Sequence, residues 1–166
     1  LPTLTVTGDI AGIRQALSRV VAIGHDPSAV LAAAGLGLED NVHARFDAGE
    51  DPDGQPWAPL NPLYAADKPP GLPVLTLSHH LRNSIVSEAN GSVLTVGTDV
   101  KYAAVHQFGA VIEPKEARQL SFEMGGRLFH RRSVTMPARP YLGWSNRDYD
   151  TMIENLEAYL TSAMRV

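Results

Sequence analysis

Ile85-Val86-Ser87-Glu88-Ala89-Asn90-Gly91-Ser92-Val93-Leu94-Thr95-Val96 is the stretch on which the fold turns. Two short runs with strand propensity flank Asn90-Gly91, a pair that takes the positive φ of a type I′ turn at low cost, so the segment reads as a β-hairpin. Upstream, residues 77–85 read as a short helix starting near Ser78. Downstream, residues 102–108 read as a helical turn stopped by Gly109. Residues 120–123 and 128–135 form a second hairpin around Gly125-Gly126. Helical periodicity dominates both ends. Asp9 is a candidate N-cap, followed by Ile10, Ile13, Leu17 and Val20/Val21 at spacings of 3 and 4. Pro27 suits the first turn of a second helix carrying Val30, Leu31, Ala34, Leu38, Val42 and Phe46, with a break possible at Gly35 and Gly37. Met152/Ile153, Leu156, Tyr159/Leu160 and Ala163 form a stripe on a C-terminal helix. All three stripes read by default as core faces. Helices, then antiparallel strands, then a helix give an α+β class: a twisted antiparallel sheet packed with N-terminal helices and a C-terminal helix.

Between these elements lies an exception. Residues 50–73 contain seven prolines, and proline removes backbone donors and restricts the residue before it. Residues 50–76 are therefore read as a long extended arm or lid without regular structure, anchored by Trp57, within a single domain spanning 1–166.

Composition narrows the function classes. The chain has 166 residues, 44% of them hydrophobic, which is enough for an ordinary core and excludes a wholly disordered polymer. With no cysteine, disulfides, thiolate metal sites and a Cys nucleophile are excluded. A net charge of −4 argues against nonspecific coating of nucleic acid, which rests on many cationic phosphate contacts. No stretch approaches the roughly 18 apolar residues of a membrane span, and residues 1–5 do not read as a secretion signal, so assembly in a bacterial cytoplasm is expected. Charge is segregated: residues 39–53 hold six acids and one base, Arg45, whereas residues 124–147 hold five arginines and no acid. Opposite patches on one small domain suit a head-to-tail contact, which closes into a ring when its rotation permits.

Catalytic readings fail on spacing. The six histidines contain no His-Glu-x-x-His, and the adjacent His79 and His80 point about 100° apart on a helix, so no metal or cofactor is expected. Asp51-Pro52-Asp53-Gly54 echoes a calcium loop, but Gly49 and Leu60 stand where its first carboxylate and its bidentate Glu belong. There is no Gly-x-Ser-x-Gly elbow, and Gly35-Leu36-Gly37 follows a helical run where a dinucleotide loop would follow a strand. The chain does not read as an enzyme.

Six phrases in order carry a more specific signal. They are Phe46-Asp47 with Asp51-Pro52-Asp53-Gly54-Gln55-Pro56-Trp57-Ala58-Pro59-Leu60; Leu77-Ser78-His79-His80-Leu81-Arg82-Asn83-Ser84-Ile85; Val96-Gly97-Thr98; Tyr102-Ala103-Ala104-Val105-His106-Gln107-Phe108-Gly109; and Met136-Pro137-Ala138-Arg139-Pro140-Tyr141-Leu142-Gly143. The series resembles the phage virion morphogenesis family, which includes the tail completion proteins of contractile-tailed phages. That family usually has Thr-Gly before the Leu-Arg phrase, where this chain has Ser78-His79-His80. The resemblance implies a structural virion protein that completes the head-proximal end of the tail and enables head–tail joining. It implies a homo-oligomeric ring, six-fold to match the tail tube, set between tail tube or sheath proteins and neck or connector proteins. DNA would pass through it without specific binding. Alternatives are a head-side closure or adaptor protein, or a tail assembly factor absent from the virion.

Residue roles follow. Trp57, Arg82, Arg131, Arg132 and Arg139 are candidate subunit or partner interface residues. Trp57 would pin the arm on the domain or on a neighbour. Arg139, held between Pro137 and Pro140, suits a bidentate contact within the fold or across an interface. Tyr102, Val105 and Phe108 are expected to pack the short helix on the sheet, with His106 and Gln107 as polar groups near its end. Glu39, Asp40, Asp47, Glu50 and Asp51 are candidates for an acidic lumen lining that repels phosphates.

Overall fold

The structure, a computed structural model, describes residues 11–165. The candidate cap Asp9 and Ile10 lie outside them. Two helices open the fold, α1 (Ala11–His25) and α2 (Ser28–Ala48), meeting at a 70° bend. Pro27 sits at the α2 N-cap and the Asp26 carboxylate accepts from Ser28 N at 3.0 Å. Then come α3 (Pro62–Asp67), α4 (His80–Asn83), β1 (Val86–Asn90), β2 (Val93–Gly97), α5 (Ala103–Phe108), β3 (Ala110–Ile112), β4 (Leu120–Met124), β5 (Arg127–Arg131), β6 (Val134–Met136) and α6 (Asn146–Met164).

Helix α2 is the axis of the fold. Its buried residues Val30, Ala34, Leu38, Asn41, Val42, Arg45 and Phe46 recur at helical spacing, with β1 and β2 against one side and α6 against another. The two glycines do not break it; they permit close approach. A Cβ on Gly35 would stand 2.5 Å from Ser87 Oγ, and one on Gly37 2.5 Å from Thr151 Cγ2. Phe46 lies at the centre of the core, edge-on to Trp57 at 5.5 Å and tilted against Tyr141 at 5.0 Å, among Val42, Leu81, Ile85 and Ala103.

The strands form three separate antiparallel ribbons, β1 with β2, β3 with β6 and β4 with β5, in place of one twisted sheet. Each strand has three to five residues, and each ribbon ends in a turn or a proline-containing segment before another can add to it. In the first hairpin Asn90 pairs with Val93, so Gly91 and Ser92 form the loop, one residue beyond the expected centre. Gly91 has φ of +57° and Ser92 does not share a positive φ, which is the II′ pattern and not I′. The second hairpin turns on Gly125 and Gly126, both at positive φ. The expected strand 128–135 is divided: its first part pairs with β4, and β6 crosses to β3.

The proline-rich segment is not an extended arm. Pro62 occupies the first turn of α3, where its missing N–H is no loss, and Asn61 Oδ1 caps Leu63 N at 3.0 Å. Trp57 turns into the core, and Thr76 is fully buried with its hydroxyl on Pro73 O at 2.6 Å. A high proline content rules out long elements but leaves the chain free to lie flat on the body.

Two expected core faces are turned outward. On α1 only Ala16 is buried, while Ile13, Leu17 and Val21 form an exposed row, Leu17 being 61% exposed. On α5 the buried residue is Ala103; Tyr102 is exposed and Phe108 is 76% exposed. The α6 stripe is divided as well. Met152, Tyr159, Leu160 and Ala163 are half-buried, but Ile153 and Leu156 are exposed, because α6 meets α2 through a partly polar face.

Candidate interaction surface

The polar centre joining α2 to α6 begins with Arg45, the one base in the acidic run. Helical spacing puts it on the same buried face as Asn41 and Phe46. Its guanidinium donates to Tyr141 O and Gly143 O at 3.1 Å, to Ser145 Oγ at 3.0 Å, and to the Asp148 carboxylate, with which it forms a buried ion pair. Asp148 also accepts from Asn41 Nδ2 at 3.0 Å and from Ser145 N and Oγ at 2.8 Å, closing a capping box at the start of α6. A buried guanidinium requires this density of acceptors, since an unpaired charge is costly to desolvate. Sequence reasoning missed the pair. The available signals were the Ser145-x-x-Asp148 spacing and an arginine lying on an otherwise apolar stripe.

The candidate interface residues divide into two groups. Trp57 is 7% exposed and donates from Nε1 to Pro140 O at 2.7 Å. Arg139 is 4% exposed, its Nε donating to Ala58 O at 2.8 Å and its Nη2 to Pro59 O at 3.0 Å. Both therefore act inside this chain, locking residues 57–59 to 139–140, and Arg139 binds backbone carbonyls and not a carboxylate. Arg82 makes a bidentate pair with Asp47, at 2.9 and 2.8 Å. That pairing lowers the Asp47 pKa and raises that of Arg82. Arg131 and Arg132 stay exposed on and just after β5, with the Arg131 guanidinium 5.4 Å from the Phe129 ring centre.

The acidic set is dispersed in the same way. Glu39 accepts from Ser87 N and Oγ at 2.6 and 2.5 Å, fastening β1 to α2. Asp47 is spent on Arg82, and Asp51 Oδ1 accepts from Asp53 N and Gln55 N in a tight turn. Asp40 and Glu50 make no side-chain hydrogen bond among the described residues. Glu50 and Asp51 line one cleft, and Glu39, Asp40 and Asp47 lie along α2.

Around α5 the two polar residues Gln107 and His106 lie at the helix end as expected, whereas Tyr102 and Phe108 point outward instead of packing on a sheet. Gln107 Oε1 accepts from Tyr141 N and Leu142 N, each at 3.0 Å, and its Nε2 donates to Leu142 O at 2.7 Å. Gly109 takes φ of +72°, where a Cβ would press on Ala138 N at 2.9 Å. His106 O accepts from Arg139 N, while His106 Nδ1 is buried without a hydrogen-bond partner among the described residues. Burial, and then the nearby Arg139 charge, lower the His106 pKa. This histidine lines an apolar groove of about 770 Å³ between α3, α4, α5, β6 and the β4–β5 hairpin, with Tyr64, Leu77, Phe122 and Met136 among its walls. A smaller cleft of about 570 Å³ separates residues 50–54 from the start of α6, with Trp144 and Tyr149 exposed at its lip.

Among the described residues, no group of three His, Asp or Glu side chains could hold a metal ion, and no single helix is long and apolar enough to cross a membrane. The surface is instead rich in uncovered apolar rows and unpaired charges, the currency of protein–protein contact. A family model described as the phage virion morphogenesis family matches residues 9–161. The chain belongs to that family. A Haemophilus influenzae protein named Mu-like prophage FluMu G protein 2 is 30% identical over 148 residues, covering 89% of this chain and 88% of its own length. A protein of Escherichia phage Mu named putative capsid assembly protein G is 26% identical over 170 residues, covering 98% and 97%. No solved structure matches. The protein is thus a phage virion morphogenesis protein related to Mu G proteins, in a family that builds the particle. His79 takes φ of +54°, a left-handed conformation natural to glycine and strained for histidine.

Proposed function

We propose that this protein completes the head-proximal end of the phage tail and enables head–tail joining, as a ring of identical copies around the DNA channel, six-fold to match the tail tube. The observation that carries the reading is the family match over residues 9–161, shared with Mu G-type relatives. The uncovered row of Ile13, Leu17 and Val21 and the exposed Trp144, Tyr149 and Leu128 support it, since a ring subunit presents apolar surface to its neighbours and to the tail. Arg131 and Arg132 are the interface candidates left free for such contacts, and Asp40 is the exposed lumen candidate with no competing side-chain bond. Tail tube or sheath proteins would lie on one side of the ring and neck or connector proteins on the other. The ring would be part of the virion and assembled in the host cytoplasm, and its chemistry is that of a structural component.

A second reading has one specific observation in its favour: the Escherichia phage Mu relative is named a putative capsid assembly protein. On that reading the chain acts on the head side, or as an assembly factor. The two part company in an extract of cells infected with phage lacking this gene. Tail completion predicts finished, DNA-filled heads beside tails that cannot join, and joining restored by added pure protein. A head-side role predicts defective heads, with tails competent to join wild-type heads, and that result would overturn the first reading.

A further inference from the structure

We propose that the basic β5 rim of one copy seats in the acidic cleft between residues 50–54 and Trp144 of the next copy, making a head-to-tail contact. The proposal rests on the ring reading above and supplies its contact. No residue of the β4–β5 hairpin is fully buried: Leu120, Phe122, Met124 and Phe129 on one face are half-buried, while the opposite face and the outer edge of β5 lie open, and Leu128 is 65% exposed. Its internal support is a stacked pair, Phe122 and Phe129 at 6.0 Å, and its tip touches α3 through Leu63 and Asp67. An isolated two-stranded ribbon is marginal in water, so a second surface is needed to hold it.

Charge identifies that surface. Arg127, Arg131 and Arg132 line the rim, and the first two stand on β5 at the two ends of its ladder with β4. The cleft presents Glu50, Asp51 and Asp53 against one exposed guanidinium, Arg147, because Arg45 is already matched by Asp148. The Glu50 and Asp53 carboxylates make no hydrogen bond or ion pair among the described residues. Trp144 at the lip offers an indole face to an arginine or to Leu128, and exposed aromatic residues are common anchors of such contacts. Rim and cleft share no residue. A contact between two different patches of identical chains is heterologous, which is the geometry that generates rings.

The cysteine-free chain permits a direct test. Asp53→Cys and Arg131→Cys are introduced singly and together, and a short bismaleimide is added to infected-cell lysates and purified particles. The double variant is expected to give a ladder of covalent multimers ending in one closed species. Each single variant alone gives none, and a mixture of the two stops at dimers. Because both positions are exposed, wild-type melting is expected for each. Independently, Arg127→Glu with Arg131→Glu, or Glu50→Arg with Asp53→Arg, is expected to weaken self-association on the order of tenfold. Both reversals in one chain restore it. Absence of a ladder while joining activity and labelling at tail ends persist would overturn the contact and leave the ring reading intact. A cross-linked dimer from Arg131→Cys alone would overturn it too, since that outcome requires a symmetric contact. A ladder from the double variant with the protein absent from tail ends would establish the contact and remove the reading.

Discussion

Replacing Asp148 by alanine should be among the most damaging changes on the surface-remote side of this molecule. The carboxylate accepts from Arg45 Nη2, Asn41 Nδ2, Ser145 N and Ser145 Oγ, and it closes the capping box of α6. Removing one partner of a buried ion pair costs about 3–5 kcal/mol. Arg45 would keep three neutral acceptors, Tyr141 O, Gly143 O and Ser145 Oγ, which places the charge component near the lower end, about 3 kcal/mol. Loss of the reciprocal cap adds about 1 kcal/mol. The sum of about 4 kcal/mol is a large part of the roughly 5–15 kcal/mol that holds a domain folded. For a chain of this length it corresponds to a fall in Tm of roughly 10 °C. Asp148→Asn keeps the shape and loses the charge, and should cost about half as much. Urea and thermal unfolding followed by circular dichroism at pH 7 measure all of these. The decisive variant is the double replacement Arg45→Met with Asp148→Leu, expected to be less destabilised than either single change because no charge is left unpaired. A loss below about 1 kcal/mol for Asp148→Ala, or additivity of the two single changes, would refute the reasoning.

Further expectations follow from the same contacts. Trp57→Ala removes a buried indole and its bond to Pro140 O, so it should cost about 3–5 kcal/mol and lower the yield of folded protein, read by urea unfolding; a folded, stable variant defective only in joining would return Trp57 to an interface. His79→Gly relieves the strained left-handed backbone and should raise stability by about 0.5–1 kcal/mol, seen as a small increase in Tm; a decrease would mean that the side chain stabilises the turn. Gly35→Ala forces a Cβ onto Ser87 and should destabilise by about 1–3 kcal/mol in the same assay. The His106 pKa is lower in the folded chain than its ordinary 6.5. The unfolded chain therefore binds the extra proton, and stability is complete above about pH 6.5 and declines as pH falls toward the folded value. His106→Gln should flatten that slope in a pH series of melting curves, and an unchanged slope would place its origin elsewhere.

Much of the fold is legible locally. The α2 stripe, the two glycine turns and the Gly109 stop each depend on residues within a few positions of one another, so propensity and spacing reveal them. What escaped depends on distance. Strands β3 and β6 are three residues each and meet across the β4–β5 hairpin, so neither carries enough pattern to announce its partner. Arg45 and Asp148 are 103 residues apart, and only their meeting explains either. Periodicity on α1 marks an apolar face without saying what covers it, which is why Ile13, Leu17 and Val21 read as core and prove exposed. Proline density in 50–76 correctly forbids long elements, yet it does not distinguish a free arm from a strap; Trp57 was the residue that could have decided it. The interface candidates show the same division. Arg131 and Arg132 are open, whereas Trp57, Arg82 and Arg139 are engaged within the chain.

The central claim is a position in the particle, and immunogold labelling of purified virions and of separated heads and tails tests it most directly. The account predicts label at the head-proximal end of the tail, on free tails and at the neck of intact particles. Label confined to heads, or none on any particle while the protein is abundant in the lysate, would contradict it.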